Sequence, residues 1–118
     1  MSNSFFGVAV DCADAAALAS FWAEVLGREV AEHPTEHHAV VLVDDEGVHG
    51  PRLAFHQVPE PKTVKNRLHL DLITTEFEVE TKRLLGLGAQ KIRDIEQGGG
   101  RWTTFGDVEG NEFDLIAG

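Results

Sequence analysis

The chain is written twice, and that repeat limits what it can fold into more than any other feature. "VAVDCADAAALASFWAEVLGREV" in the first half and "LHLDLITTEFEVETKRLLGLGAQKI" in the second both read as strand, turn, amphipathic helix and glycine stop. In the first helix Leu18, Phe21, Trp22, Val25 and Leu26 fall at helical spacing. In the second, Phe77, Leu84, Leu85 and Leu87 do so less regularly, and Gly27 and Gly88 stand where each helix should end. Asp14 is a natural cap for the first helix, and Thr75 with Glu78 has the spacing of a capping box for the second.

Further strands follow each helix: "HAVVLVDDEG" and "PRLAFHQV", then "AQKIRDI", "RWTTFGDVEG" and "NEFDLIA", with hairpin turns expected at "DDEG" and "DVEG". The repeating unit is therefore βαβββ. The connector "PEPKTVKN" holds prolines that cannot join a strand ladder, so the boundary falls there, with module one at about residues 5–58 and module two at about 66–117 of one domain spanning 1–118. The expected class is α+β, with two tandem βαβββ modules forming a curved mixed sheet around a cleft and the helices outside.

Composition excludes several function classes. Ten Lys and Arg stand against twenty Asp and Glu, a formal net charge of −10, which argues against binding nucleic-acid phosphates. The single cysteine, Cys12, permits no internal disulfide and reads as a small packed residue rather than a nucleophile. "MSNSFFGVAV" has neither a basic start nor a long apolar run, so no signal peptide and no membrane span is expected, and a cytoplasmic protein is the natural reading.

Chemistry enters at "RLHLDL", residues 67–72, read as a strand. Leu68, Leu70 and Leu72 alternate with His69 and Asp71, which gives one apolar face and one face with an imidazole and a carboxylate. That face is expected to look into the cleft. His69 there is either a hydrogen-bonding wall residue, paired with Asp71 or Asp114, or a ligand. His33, His37, His38 and His49 sit in or beside polar turns and read as solvated. "GGGR", 98–101, precedes a strand rather than a helix and reads as a flexible loop at the cleft mouth, not a phosphate cradle. Trp102 after it is either core or a flat wall for a planar ligand.

The duplication, "FWAEVLG" closing the first helix, "RLHLDL" opening the second module and "DVEGNEFDL" near the chain end together resemble the vicinal oxygen chelate superfamily, in its glyoxalase-like and bleomycin-resistance branch. Enzymes of that superfamily place metal ligands on the first and last strand of each module, and the metal polarises two neighbouring substrate oxygens. Carried over, the resemblance implies His69 and Asp114 as ligands in the second module, with Asp114 one methylene shorter than the usual Glu. In the first module the opening position is Gly7, or Ala9 after a two-residue slide, and neither binds a metal. The acidic ligand falls at Ala54 or at His56 depending on register, and in the second case His56, His69 and Asp114 form the metal set.

Two readings compete. One is a cofactor-free protein that sequesters an aromatic or polycyclic small molecule, as antibiotic-resistance members of the superfamily do, with His56, His69, Asp71, Trp102 and Asp114 touching the ligand. The other is a lyase, isomerase or dioxygenase that depends on Zn, Mn or Fe, with Asp71 or Asp11 as general base. The first is preferred on the strength of the missing ligand at Gly7 and the shortened carboxylate at Asp114. The expected partners are a small molecule and a second copy of the chain in a homodimer, because open sheets leave edges to pair.

Overall fold

A computed structural model describes residues 2–43 and 50–118. The "DDEG" turn and His49 lie outside them. The described elements run β1 (Gly7–Cys12), α1 (Ala15–Leu26), β2 (His38–Val41), β3 (Arg52–Gln57), β4 (Leu70–Thr74), α2 (Phe77–Leu87), β5 (Gln90–Gln97), β6 (Gly100–Gly106) and β7 (Glu112–Ala117). They form an α+β fold of two compact units, Met1–Pro61 and Lys62–Gly118, each with one helix and one mixed sheet.

Unit 1 has the strand order β1-β3-β2, with β1 parallel and β2 antiparallel to β3. The third strand that the repeat predicts after α1 is reduced to a single bridge, Val30 to Val41, flanked by backbone bonds of Ala31 to Val40 and Leu42 to Glu29. "REVAEHP" has one apolar pair and then a proline, too little alternation to extend a ladder. Helix α1 packs on β2 and β3 and buries Ala15, Leu18, Ala19, Phe21, Trp22 and Val25. Asp14 caps it, its carboxylate accepting the Ala17 N–H at 3.2 Å, and Gly27 ends it with φ +64°.

Unit 2 has the order β4-β7-β6-β5, again with the first and last strands parallel. Phe113, Leu115 and Phe105 are buried together with Leu84 of α2, and the Phe105 and Phe113 rings stack at 5.6 Å. The "DVEG" turn joins β6 to β7 through Asp107, whose buried carboxylate accepts the N–H groups of Glu109 and Asn111.

Three expectations are corrected here. Strand β4 starts at Leu70, so Arg67, Leu68 and His69 precede it and Leu68 is exposed. The Thr75–Glu78 capping box does not form. The N-cap is Glu76, whose N–H is satisfied by the Thr74 hydroxyl, while Glu78 turns aside to pair with Arg101 at 2.9 Å. "GGGR" is a tight turn: Gly98 and Gly99, with φ +58° and +81°, make a two-residue hairpin turn in the left-handed region that favours glycine, and Gln97 pairs with Gly100.

The connector is tied to β7 by Glu112, which accepts from Lys62 at 3.2 Å and from the Asn66 N–H at 3.4 Å. Burial alone would raise the Glu112 carboxyl, yet hydrogen bonds from its own backbone, Lys62 and Asn66 outweigh it and hold the group below the ordinary 4.5. A depressed carboxyl contributes stability above its unfolded value and loses it as pH falls through the folded value. Glu112→Gln should therefore cost roughly 1 kcal/mol at neutral pH. It should also flatten the loss of stability below pH 4.5, a difference that urea titrations of both forms across that range would measure.

Candidate metal centre

The site on unit 2 follows from register. Strand β4 lies parallel to β7 with Asp71 opposite Asp114, and cross-strand partners share a face. His69, two residues before Asp71, points to the same side. The buried Phe113 and Leu115 take the face toward α2, which leaves Asp114 on the other.

His69 Nδ1 stands 3.0 Å from Asp71 Oδ1 and 3.8 Å from Asp114 Oδ2. One ligand atom from each of the three lies within 4.8 Å of the others, which among the described residues is the one such group of three or more. Ligand atoms each about 2.0–2.2 Å from a shared ion are about 3–4 Å apart in tetrahedral or cis-octahedral arrangements. The two His69 spacings, 3.0 and 3.8 Å, fit that requirement.

Asp114 is oriented from behind. Its partner on β6 is Thr104, a buried residue whose hydroxyl donates to Asp114 Oδ1 at 2.6 Å, so the other oxygen is the one turned to His69. The side chain of Asp114 keeps 16% exposure, against 39% for His69 and 54% for Asp71. The group thus has one anchored carboxylate and two more exposed side chains open to an incoming molecule.

The same face carries two more features. One residue pair along the sheet, Ile73, Ile116, Trp102 and Ile95 form an apolar row. Beyond Thr104 on β5 stands Arg93, placed there by an irregularity between Lys91 and Arg93. The irregularity is visible in the side chains: Lys91 and Asp94, three apart, pair at 2.6 Å, which regular alternation would prevent. Asp94 also accepts from Thr103, and Lys91 first and then Thr103 hold its carboxyl below the usual range. Nothing in the one-dimensional pattern marks the bulge, so Arg93 and Thr104 were missed from sequence.

Unit 1 supplies no equivalent ligands. Helices α1 and α2 start at Ala15 and Phe77, so the counterpart of His69 is Gly7 and that of Asp71 is Ala9, whose register partner is Ala54. The register question is answered at Ala54. Gly7 is filled from across the ladder: a Cβ there would lie 2.7 Å from Arg52 Cγ. His56, expected in the metal set, is a unit 1 residue whose ring lies against His38, while Asp11 is its register partner. Cys12 is buried, its thiol donating to the His56 carbonyl at 3.5 Å.

The family model for the glyoxalase-like domain matches residues 7–116. The chain belongs to that family. Among solved structures it is similar to a mutant of the fosfomycin resistance protein FosX from Listeria monocytogenes, crystallised with Mn(II) and 1S,2S-dihydroxypropylphosphonic acid (16% identity, all of this chain and 92% of that one, TM-score 0.79). It is also similar to FosX from Mesorhizobium loti (17%, 100% and 94%, 0.75) and to TioX from Micromonospora sp. ML1 (17%, 97% and 98%, 0.64). No curated protein matches the sequence. These likenesses place the chain in the vicinal oxygen chelate fold as a glyoxalase-like protein. Among the described residues no helix is long and apolar enough to cross a membrane.

The expectation of a cofactor-free pocket is corrected. It rested on the loss of ligands in the first module, but Asp71 joins His69 and Asp114 to restore a three-ligand group on unit 2 alone. The fold is moreover one that holds Mn(II) in FosX crystals. Asp71 was read as a wall residue or base because its opposition to Asp114 exists only once β4 and β7 pair. Removing the Thr104 hydroxyl should loosen Asp114: Thr104→Val is expected to lower divalent-metal affinity about 10- to 100-fold with little change in melting temperature, measured by calorimetric titration.

Proposed function

We propose that this glyoxalase-like protein binds a divalent metal ion through His69, Asp71 and Asp114 and acts as a metal-dependent enzyme on a small molecule that offers neighbouring oxygens. The observation that carries this reading is the convergence of the three side chains, with Asp114 fixed by Thr104. One imidazole and two carboxylates favour Mn(II), Fe(II) or Zn(II) and leave coordination positions open. Bound there, such an ion supplies a Lewis acid to substrate oxygens.

The chain's own residues do the rest. Asp114, held by Thr104, fixes the ligand set, and His69 gives it its nitrogen. Asp71, the more exposed carboxylate, takes a proton from the substrate on Oδ2, the oxygen not turned to His69, and returns it. Ile116 and Trp102 offer an apolar wall to the carbon skeleton of the substrate. Arg93 meets an anionic substituent from across Thr104. The apolar row Ile73–Ile116–Trp102 also favours a second reading, a protein that sequesters a flat small molecule at the same face, with Trp102 as its platform.

In a titration with Mn(II), the unaltered protein is expected to take about one equivalent at this centre and His69→Ala to lose more than tenfold in affinity, a larger effect than Thr104→Val. Equal affinity in His69→Ala would sink the proposal. Turnover by the loaded protein of a vicinal-oxygen compound, lost in Asp71→Asn, separates the enzyme from the sequestering protein, in which bound ligand is returned unchanged. A homodimer belongs to the same reading, supported by the exposed edge character of β5, whose residues are mostly exposed. Light scattering at twice the mass of the chain is the expected result.

A further inference from the structure

The sheet of unit 1 carries a row of ligand-type side chains that the duplication does not account for. On the face away from α1, Asp11 of β1 pairs with His56 of β3, which pairs with His38 of β2. The corresponding row of unit 2 is Ile73, Ile116 and Trp102, because Ile73 aligns with Asp11 and the partners follow by register. The row of unit 1 that does correspond to Asp71, Asp114 and Thr104 is Ala9, Ala54 and Val40. Polar and apolar rows have thus exchanged places between the units. The unit 1 group lies one residue pair further along the sheet, so it is not a remnant of the centre on unit 2.

The geometry of the pair is specific. Gln57 N–H donates to the His37 carbonyl at 2.9 Å, one step outside the His38–His56 pair, which makes that pair the non-hydrogen-bonded kind, where opposed side chains come closest. The two ring centroids are 4.8 Å apart with a 45° tilt. Two imidazoles on one ion, each with its nitrogen about 2.0–2.1 Å from the metal, have centroids about 5 Å apart. The backbone beneath His38 is pinned at both ends: Thr35 N–H donates to the His38 carbonyl at 3.0 Å, and His38 N–H donates to the Thr35 hydroxyl at 3.2 Å. His56 sits in mid-sheet with ladder partners on both sides. Both rings are exposed and reachable.

We propose that His38 and His56 form a second metal site, a two-imidazole pair whose remaining coordination positions are left to solvent or a bound molecule. Its two nitrogens set its preference. Imidazole-rich sites suit Cu(II), Ni(II) and Zn(II), whereas the oxygen-rich centre at His69, Asp71 and Asp114 suits Mn(II) and Fe(II). The two units of one duplicated fold then carry sites of different softness.

Ni(II) alone tests this, in a His69→Ala background that removes a ligand from the other centre. Calorimetry is expected to show about one equivalent bound, with affinity reduced about tenfold or more by His38→Ala and again by His56→Ala, and unchanged by His37→Ala. Unchanged affinity in the first two, or an equal loss on His37→Ala, overturns the proposal. In the unaltered protein, paramagnetic Ni(II) should broaden the amide resonances of Ala39 and Phe55, which needs no variant to fold. Broadening confined to Leu70–Asp71 and Asp114 would overturn the second site while leaving the first intact.

Discussion

The parallel pairing of the first and last strand of each unit is the constraint on which the rest depends. A parallel ladder cannot be closed by a short turn, so everything between the paired strands, a helix and one more strand in unit 1 and a helix and two more in unit 2, must be laid down as the crossover. In unit 2 that pairing sets Asp71 opposite Asp114, and His69, the residue just before the strand, turns its ring to the same side. A slip of one residue would send all of one strand's ligands to the α2 face, where Phe113 and Leu115 belong. The buried aromatic pair Phe105–Phe113 therefore does more than fill the core. It fits the β6–β7 register that sets Thr104 behind Asp114 on the opposite face.

The two units show how the same backbone accepts different chemistry. At the opening position unit 2 has His69 and unit 1 has Gly7, over which the stem of Arg52 lies. Arg52 corresponds to Glu112 of unit 2, so even the charge beside the opening position is reversed between the copies. The Arg52 guanidinium goes on to sit 4.4 Å over the Phe6 ring, which anchors the segment that leads into β1. A cation held at that spot makes it a poor place for a divalent ion, and the imidazole of His56 stands four residues further along the same strand.

Unit 2 also departs from regular alternation at one point that matters. The irregularity between Lys91 and Arg93 leaves Lys91 and Asp94 on one face and turns Arg93 toward Thr104 and Asp114. Bulges at sheet edges re-aim single side chains in this way. Opposite Phe105 the strand presents the exposed Lys91, and opposite Thr104 it presents Arg93.

Much of this protein was legible in one dimension. Hydrophobic period, helix stops at Gly27 and Gly88, the Asp14 cap and the "DVEG" turn are local, each decided by a few residues whose torsions or hydrogen bonds have no better alternative, and repetition of the pattern gave the α+β class. His69 and Asp114 could be singled out because they recur at positions known to matter in similar chains. What the chain could not declare was which side chains from distant strands share a rung. Asp71 as a third ligand, Thr104 behind Asp114, Ala54 rather than His56 opposite the lost position, and the His38–His56 pair all depend on ladder register, which is settled by burial of the large aromatics across the whole sheet and by a bulge that alternation alone does not reveal.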